Sequence, residues 1–224
     1  MLPAKPLASI WALKAGTKPE EMIDALQTAQ NGGKPFPAEK FVNKIPVKKH
    51  DHVLIPAGTV HCSGADTMVL EISATPYIFT FKLWDWGRVD LDGKPRPIHL
   101  EHGAANIQWY RNTEWVHRNL VNAVAEVYTG ENGTVVRTGL HEREFLDTFR
   151  FTTSSALPVH RNGSVHMLNL VDGTRAVLRS KSDAFPPLEL HYAETCIVPQ
   201  AAGDYEIYSP DGSEVKVILA CVRN

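Results

Sequence analysis

The spacing of apolar residues changes twice along the chain, and each change predicts a different element. Leu7 to Ala12 form a short apolar and aromatic run closed by Lys14-Ala15-Gly16, the pattern of a strand ending in a glycine turn. Met22, Ile23, Leu26 and Ala29 then recur at helical spacing. Thr17 is the expected N-cap, Pro19 sits in the first turn, and Glu20 and Glu21 lie at the positive end of the helix dipole. Asn31-Gly32-Gly33 stops the element, so the spacing predicts a helix over 18–30. A short helical turn is expected over 37–43, with Phe41 and Val42 inward.

From Val47 the period becomes two, and strands are predicted at 53–55, 67–74 and 77–84. In the second of these Thr67, Val69, Glu71 and Ser73 share one face, while Met68, Leu70, Ile72 and Ala74 share the other. In the third, Tyr77, Phe79, Phe81 and Leu83 are apolar together and leave Thr80 and Lys82 opposite. One charged residue on each polar face predicts a shared lumen.

The run Asp92-Gly93-Lys94-Pro95-Arg96-Pro97-Ile98-His99 reads as an extended connector, and Thr113 to Asn122 as a short helix with Trp115 and Leu120 inward. Together they mark a boundary between two halves, 1–105 and 106–224. Beyond it the chain is β-rich, with strands expected near 125–128, 134–138, 145–151, 165–170, 176–179, 193–199, 205–208 and 215–222, and with Gly130, Gly133, Gly173, Gly203 and Asp211-Gly212 in turns. Many short strands with glycine turns predict a barrel or a sandwich. Cys196 to Gly203 echoes Val53 to Gly58 with no histidine after the turn, and reads as a second, chemically silent copy.

Composition narrows the partners. The 224 residues carry 23 basic and 25 acidic side chains, net charge -2, with the basic residues scattered, so a nucleic-acid surface has no electrostatic support. Cys62, Cys196 and Cys221 form neither a CxxC pair nor a disulfide framework, which fits a reducing cytoplasm. Pro3, Lys5 and Pro6 interrupt the N-terminal segment, which lacks the build of a signal peptide, and no apolar run approaches membrane-spanning length. A small polar substrate is expected.

The chemistry gathers downstream of the Ile55-Pro56-Ala57-Gly58-Thr59 turn. A histidine just after such a turn is held rigidly, and imidazole is a common zinc ligand, so His61 is read as a metal ligand against the structural role of most lone histidines. Glu71 reads as a ligand, as a general base in a partly desolvated pocket, or as an ion-pair partner of Lys82. Lys82 and Arg88 suit an anionic substrate, while Arg88 reads equally as a surface residue stacked on Trp86. His50 and His52 are taken as strand residues near a rim, and His99 to His102 as a surface or interface cluster without a helical frame. Cys62 is expected to point into packing.

The segments Val47 to His61, Val69 to Ile72, Phe81 to Arg88 and Gly93 to Leu100 together resemble the type I mannose-6-phosphate isomerases of the bacterial cupin branch. The resemblance is strong over 45–101 and continues more weakly to the C-terminus. It implies a mainly β fold of two tandem cupin jelly-roll barrels, the first incomplete and the second degenerate, with a few short helices. It further implies zinc-dependent interconversion of mannose 6-phosphate and fructose 6-phosphate through an enediol. By position His61 matches the zinc histidine, Glu71 the glutamate facing the site and Arg88 the end of the Asp-aromatic-x-Arg motif. Lys82 stands where many members place an arginine.

One departure stands out. The family's Gln-x-His pair and its following glutamate are not found, since Gln27, Gln30, Gln108 and Gln200 are not followed two residues later by histidine. A zinc ion with one protein ligand is too weakly held to form a tetrahedral site, so its remaining ligands are expected outside this chain. Three expectations follow: a fragment of a longer isomerase, complementation by a separate N-terminal segment or another copy through an open strand edge, or a truncation that has lost catalysis. The competing class is a non-catalytic sugar-binding or regulatory cupin.

Overall fold

The computed structural model describes residues 8–64, 67–74, 80–139 and 141–223, with side-chain surroundings from Ala12 onward. The chain divides into two units, Met1–Val121 and Asn122–Asn224.

In the first unit β1 (Ala8–Leu13) pairs antiparallel with β2 (Val42–Pro46), Leu13 standing opposite Val42. Between them run α1 (Pro19–Gln30) and the single turn α2 (Ala38–Phe41). Helix α1 agrees with the spacing, and Met22 and Leu26 form its buried stripe. Its cap does not: Lys18 occupies the N-cap without a side-chain capping bond, and the Thr17 hydroxyl instead donates to the Phe41 carbonyl at 3.1 Å. That bond ties the helix entrance to the start of β2. Gly32 takes a φ of 79°, which ends the helix.

Two further helices, α3 (Leu100–Asn106) and α4 (Thr113–Asn119), complete this unit. The α4 N-terminus is capped by Asn112, whose side chain accepts from the Trp115 N–H at 3.1 Å, and Val116 and Leu120 are buried where Trp115 is only partly so. Leu13, Met22, Leu26, Phe36, Phe41 and Leu100 make the larger core, with Phe36 stacked on Phe41 at 5.5 Å. Ala12, Ile45, Val116 and Leu120 make a smaller one.

The strands expected at 53–55, 67–74 and 77–84 are the main correction. Val53 forms one isolated bridge with Val121, while 67–74 and 80–84 are irregular; 77–79 lie outside the described residues. Period-two alternation marks a segment able to pair, but a strand exists only when a neighbour accepts its hydrogen bonds. No described strand does so here, and Met68 is 79% exposed. The shared lumen for Glu71 and Lys82 therefore has no strand framework among the described residues.

The second unit is a sandwich of two antiparallel sheets. Its strands are β3 (Ala125–Gly130), β4 (Gly133–Arg137), β5 (Leu146–Thr153), β6 (Ala156–Val159) and β7 (His166–Asp172). They continue with β8 (Arg175–Ser180), β9 (Leu188–His191), β10 (Thr195–Val198), β11 (Tyr205–Tyr208) and β12 (Val215–Val222). The larger sheet runs β10-β7-β12-β5-β4-β3, the smaller β6-β11-β8-β9. In β12 Val215, Val217, Leu219 and Cys221 alternate inward and meet Leu168, Leu170, Leu178 and Ile207. Strands β6 and β9 were not expected. Both are four-residue edges of the smaller sheet, one containing Pro158 and the other following Pro186-Pro187, and proline is tolerated where no further ladder must be served.

The fold is thus mainly β and jelly-roll-like, as expected. No helix among the described residues is long and apolar enough to cross a membrane.

Candidate functional site

His61 owes its position to the turn before it. Thr59 N–H donates to the Pro56 carbonyl at 3.1 Å and Gly58 has a φ of 84°, the type II arrangement that demands glycine at the third position. A Cβ on Gly58 would stand 2.5 Å from the Asn106 carbonyl oxygen and 2.8 Å from Gln108 Cγ. Gln108 N–H donates to the Gly58 carbonyl at 2.9 Å, which seats the turn against the segment after α3.

Arg111 closes the arrangement. Its Nη1 lies 3.2 Å from the Pro56 carbonyl, 2.7 Å from the Ala57 carbonyl and 2.8 Å from Thr59 Oγ1. The guanidinium also lies over Trp115 at 5.2 Å and Tyr110 at 5.6 Å. The His61 ring places Nδ1 2.8 Å from the Thr59 carbonyl. A carbonyl can only accept, so Nδ1 carries the proton, and the neutral ring has its lone pair on Nε2.

The second feature is a knot of charge around Asp85, whose side chain is only 12% exposed. Lys82 Nζ lies at 3.2 Å, Arg96 Nη1 at 3.6 Å and Arg88 Nη1 at 3.9 Å from its carboxylate. Arg96 also lies 3.3 Å from Asp90. A tight reversal brings these residues together: Asp90 and Lys94, then Arg88 and Arg96, are joined by backbone bonds of 2.8 and 3.0 Å, with Gly93 at a φ of 77° in the turn. The stretch read as an extended connector is this reversal. Three cations face two carboxylates, which leaves an excess positive charge suited to an anion. The described ion pair of Lys82 is with Asp85, not Glu71, and that of Arg88 is likewise with Asp85. Glu71 itself is exposed rather than set in a desolvated pocket.

Lys82 is further fixed by two bonds with His99. Its N–H donates to His99 Nδ1 at 3.2 Å and its carbonyl accepts from the His99 N–H at 2.8 Å. His99 and His102 flank Phe81 at 6.4 and 5.9 Å, and Leu100 to His102 open helix α3, so the cluster does have a helical frame. Gln27 and Gln30 with residues 98–102 line a pocket of about 290 Å³. His50 and His52 are not strand residues: His50 lies in a turn at a φ of 70°, and His52 comes just after it. Cys62 packs against the larger core of its unit, and burial pushes its thiol up to about 11.

The second unit holds a buried polar group outside the stretch read as silent, on β7. His166, 2% exposed, places Nδ1 2.9 Å from the Tyr205 hydroxyl and Nε2 3.1 Å from Asn162 Oδ1. Burial, then the Arg161 cation, lower His166 to about 4, against the opposing pull of Asp204. Burial likewise pushes the Tyr205 phenol well above its usual range. Asp204 accepts from the Arg161 N–H at 2.8 Å and lies 2.8 Å from His160 Nδ1.

Three of the predicted site residues are thus positioned by two separate devices, a turn for His61 and a charge knot for Lys82 and Arg88, while Glu71 belongs to neither. Arg111, Asp85 and Arg96 were not singled out from the sequence; Asp85 and Arg96 sit inside motifs already noted, whereas nothing local marks Arg111. His61 suits a single metal ligand. Among the described residues no three His, Cys, Asp or Glu side chains converge, so they do not form a complete zinc site.

Sequence comparison finds mannose-6-phosphate isomerases. The chain is 35% identical over 63 residues to that of Streptococcus mutans, which covers 28% of this chain and 20% of that protein. It is 33% identical over 70 residues to that of Bacillus subtilis, 31% and 22% of the two chains. The aligned region is therefore about a fifth of each relative's length. No family model matches. Among solved structures, the Bacillus subtilis mannose 6-phosphate isomerase superposes with a TM-score of 0.64 at 15% identity, over 96% of this chain and 61% of that one. A putative mannosephosphate isomerase from Archaeoglobus fulgidus gives 0.60 at 13% identity, over 98% and 59%. The chain shares their cupin fold and resembles mannose-6-phosphate isomerases in sequence.

Proposed function

We propose that this chain carries part of the active-site wall of a mannose-6-phosphate-isomerase-like enzyme, one that interconverts an aldose phosphate and a ketose phosphate through an enediol. The observation that carries the proposal is the presentation of His61 by the 56–59 turn in a chain that resembles these isomerases in sequence. The roles follow from the chemistry of the side chains. Lys82 and Arg88 bind the phosphate or the developing enediolate, because the knot around Asp85 has cations in excess and their side chains are 43% and 64% exposed. Glu71 moves the proton between the two carbons. His61 is one ligand of a zinc ion whose other ligands lie outside the described residues, supplied by a further segment or a second copy. A cytoplasmic enzyme acting on mannose 6-phosphate and fructose 6-phosphate is the full form of the reading.

A second reading, a sugar-binding or regulatory cupin without catalysis, is favoured by the exposure of Glu71, since a general base gains from desolvation. Metal analysis and a coupled isomerase assay on the 224-residue chain separate the two. Stoichiometric zinc with turnover, both lost in His61→Ala, supports the enzyme. Sugar-phosphate binding with neither zinc nor turnover supports the binding module and sinks the isomerase assignment for this chain.

A further inference from the structure

We infer that Arg111 is a positioning residue that fixes the tautomer and orientation of His61, acting through the 56–59 turn. The inference deepens the proposed role of His61 as a ligand, although its own test needs no metal. A histidine that binds through Nε2 must keep its proton on Nδ1, and the partner of Nδ1 decides whether it does. Here that partner is the Thr59 carbonyl, and a carbonyl can hold the ring only if its own peptide is held.

Three observations place that duty on Arg111. One nitrogen, Nη1, reaches acceptors on Pro56, Ala57 and Thr59, so a single side chain spans the whole turn. Its guanidinium itself lies over the Trp115 and Tyr110 rings, which meet edge to face, and Trp115 is anchored in capped helix α4. The opposite side of the turn is fixed by the Gln108–Gly58 backbone bond and by the lack of room for any side chain at Gly58. Without the cation, the Pro56 and Ala57 carbonyls and the buried Thr59 hydroxyl lose a charge-assisted donor, and the Thr59 peptide gains freedom to rotate. His61 would then sample both tautomers, as a solvated imidazole does.

Because one nitrogen, with two N–H groups shared among three acceptors, makes all these contacts, an ammonium with its three donors can replace it. This sets the arginine apart from sites that need the planar fork. Arg111→Lys is therefore the rescuing variant and Arg111→Met the disabling one.

The experiment is nitrogen-15 imidazole NMR on the full chain above pH 7.5, with His61 assigned by His61→Gln and no metal added. The native chain should show His61 as a single Nδ1–H form, Arg111→Lys should keep it, and Arg111→Met should lose it to a mixture. Thr59→Val removes one acceptor and should give a smaller loss, which keeps the test intact if Arg111→Met does not fold. A folded Arg111→Met or Thr59→Val chain whose His61 remains wholly Nδ1–H, with only the unfolding temperature lowered, would make Arg111 a structural residue and overturn the inference. Zinc binding left unchanged by His61→Ala would instead sink the ligand role and leave this result standing.

Discussion

Acid should unfold the second unit through His166 before the carboxylates begin to titrate. The ring is buried between the Tyr205 hydroxyl and Asn162, and its pKa of about 4 lies below the ordinary value of 6.5. Between those values the unfolded chain binds a proton that the folded chain refuses, so stability rises with pH across the window and is fully retained only above the unfolded value. The difference of 2.5 units corresponds to about 3 kcal/mol at the acid limit, of which roughly 2 kcal/mol is lost between pH 7 and pH 5. All five tryptophans, at 11, 84, 86, 109 and 115, belong to the first unit, so their fluorescence is blind to this event. The suitable assay is urea unfolding at pH 7, 6 and 5, read by hydrogen exchange in the peptide covering β12 or by near-ultraviolet dichroism of the tyrosines. The urea midpoint should fall as pH drops, and His166→Phe, though less stable at pH 7, should lose most of that slope. A slope unchanged in His166→Phe, or an NMR titration of His166 with a midpoint near 6.5, would refute the assignment.

Other substitutions test the frame around the site and the core. Gly58→Ala should cost several kcal/mol in the first unit, because it combines a positive φ with a carbonyl 2.5 Å from the new Cβ; Gly93→Ala, with a similar φ and open space, should cost only about 1 kcal/mol. Tryptophan fluorescence during urea unfolding measures both, and equal costs would contradict the close approach at Gly58. Leu178→Ala in the smaller sheet should destabilise the second unit by about 3 kcal/mol, read by the same hydrogen-exchange assay, since the side chain is wholly enclosed. Asp85→Asn removes the carboxylate shared by Lys82, Arg88 and Arg96 and should tighten binding of inorganic phosphate to the first unit, measured by calorimetry. Unchanged or weaker binding would separate the charge knot from anion recognition.

The two halves of the molecule were unequally legible. In the second, inward and outward residues alternate and glycines mark the turns, so β11 and β12 were placed to the residue. The strands that escaped were edges bearing or following proline, whose local pattern is weak because one neighbour sets their existence. In the first half the pattern overstated what forms. Residues 67–74 alternate well, yet their structure depends on a partner strand, and alternation carries no information about whether one is present. His61 was readable because Pro56-Ala57-Gly58-Thr59 is a local signal. Arg111 was not, since it lies fifty positions downstream and meets the turn only after α3 has folded back.

The three cysteines acquire a practical meaning from where they lie. One belongs to the first unit and two to the second, and burial holds the thiols of Cys62 and Cys196 at about 11 with Cys221 also raised. Alkylation proceeds through the thiolate, so at pH 8 a thiol at 11 reacts roughly two-hundred-fold more slowly than one released at its free value of about 8.5. A brief pulse of iodoacetamide therefore labels molecules by which half has opened. The chain carries its own reporters for the separate lifetimes of its two units, with no residue introduced for the purpose.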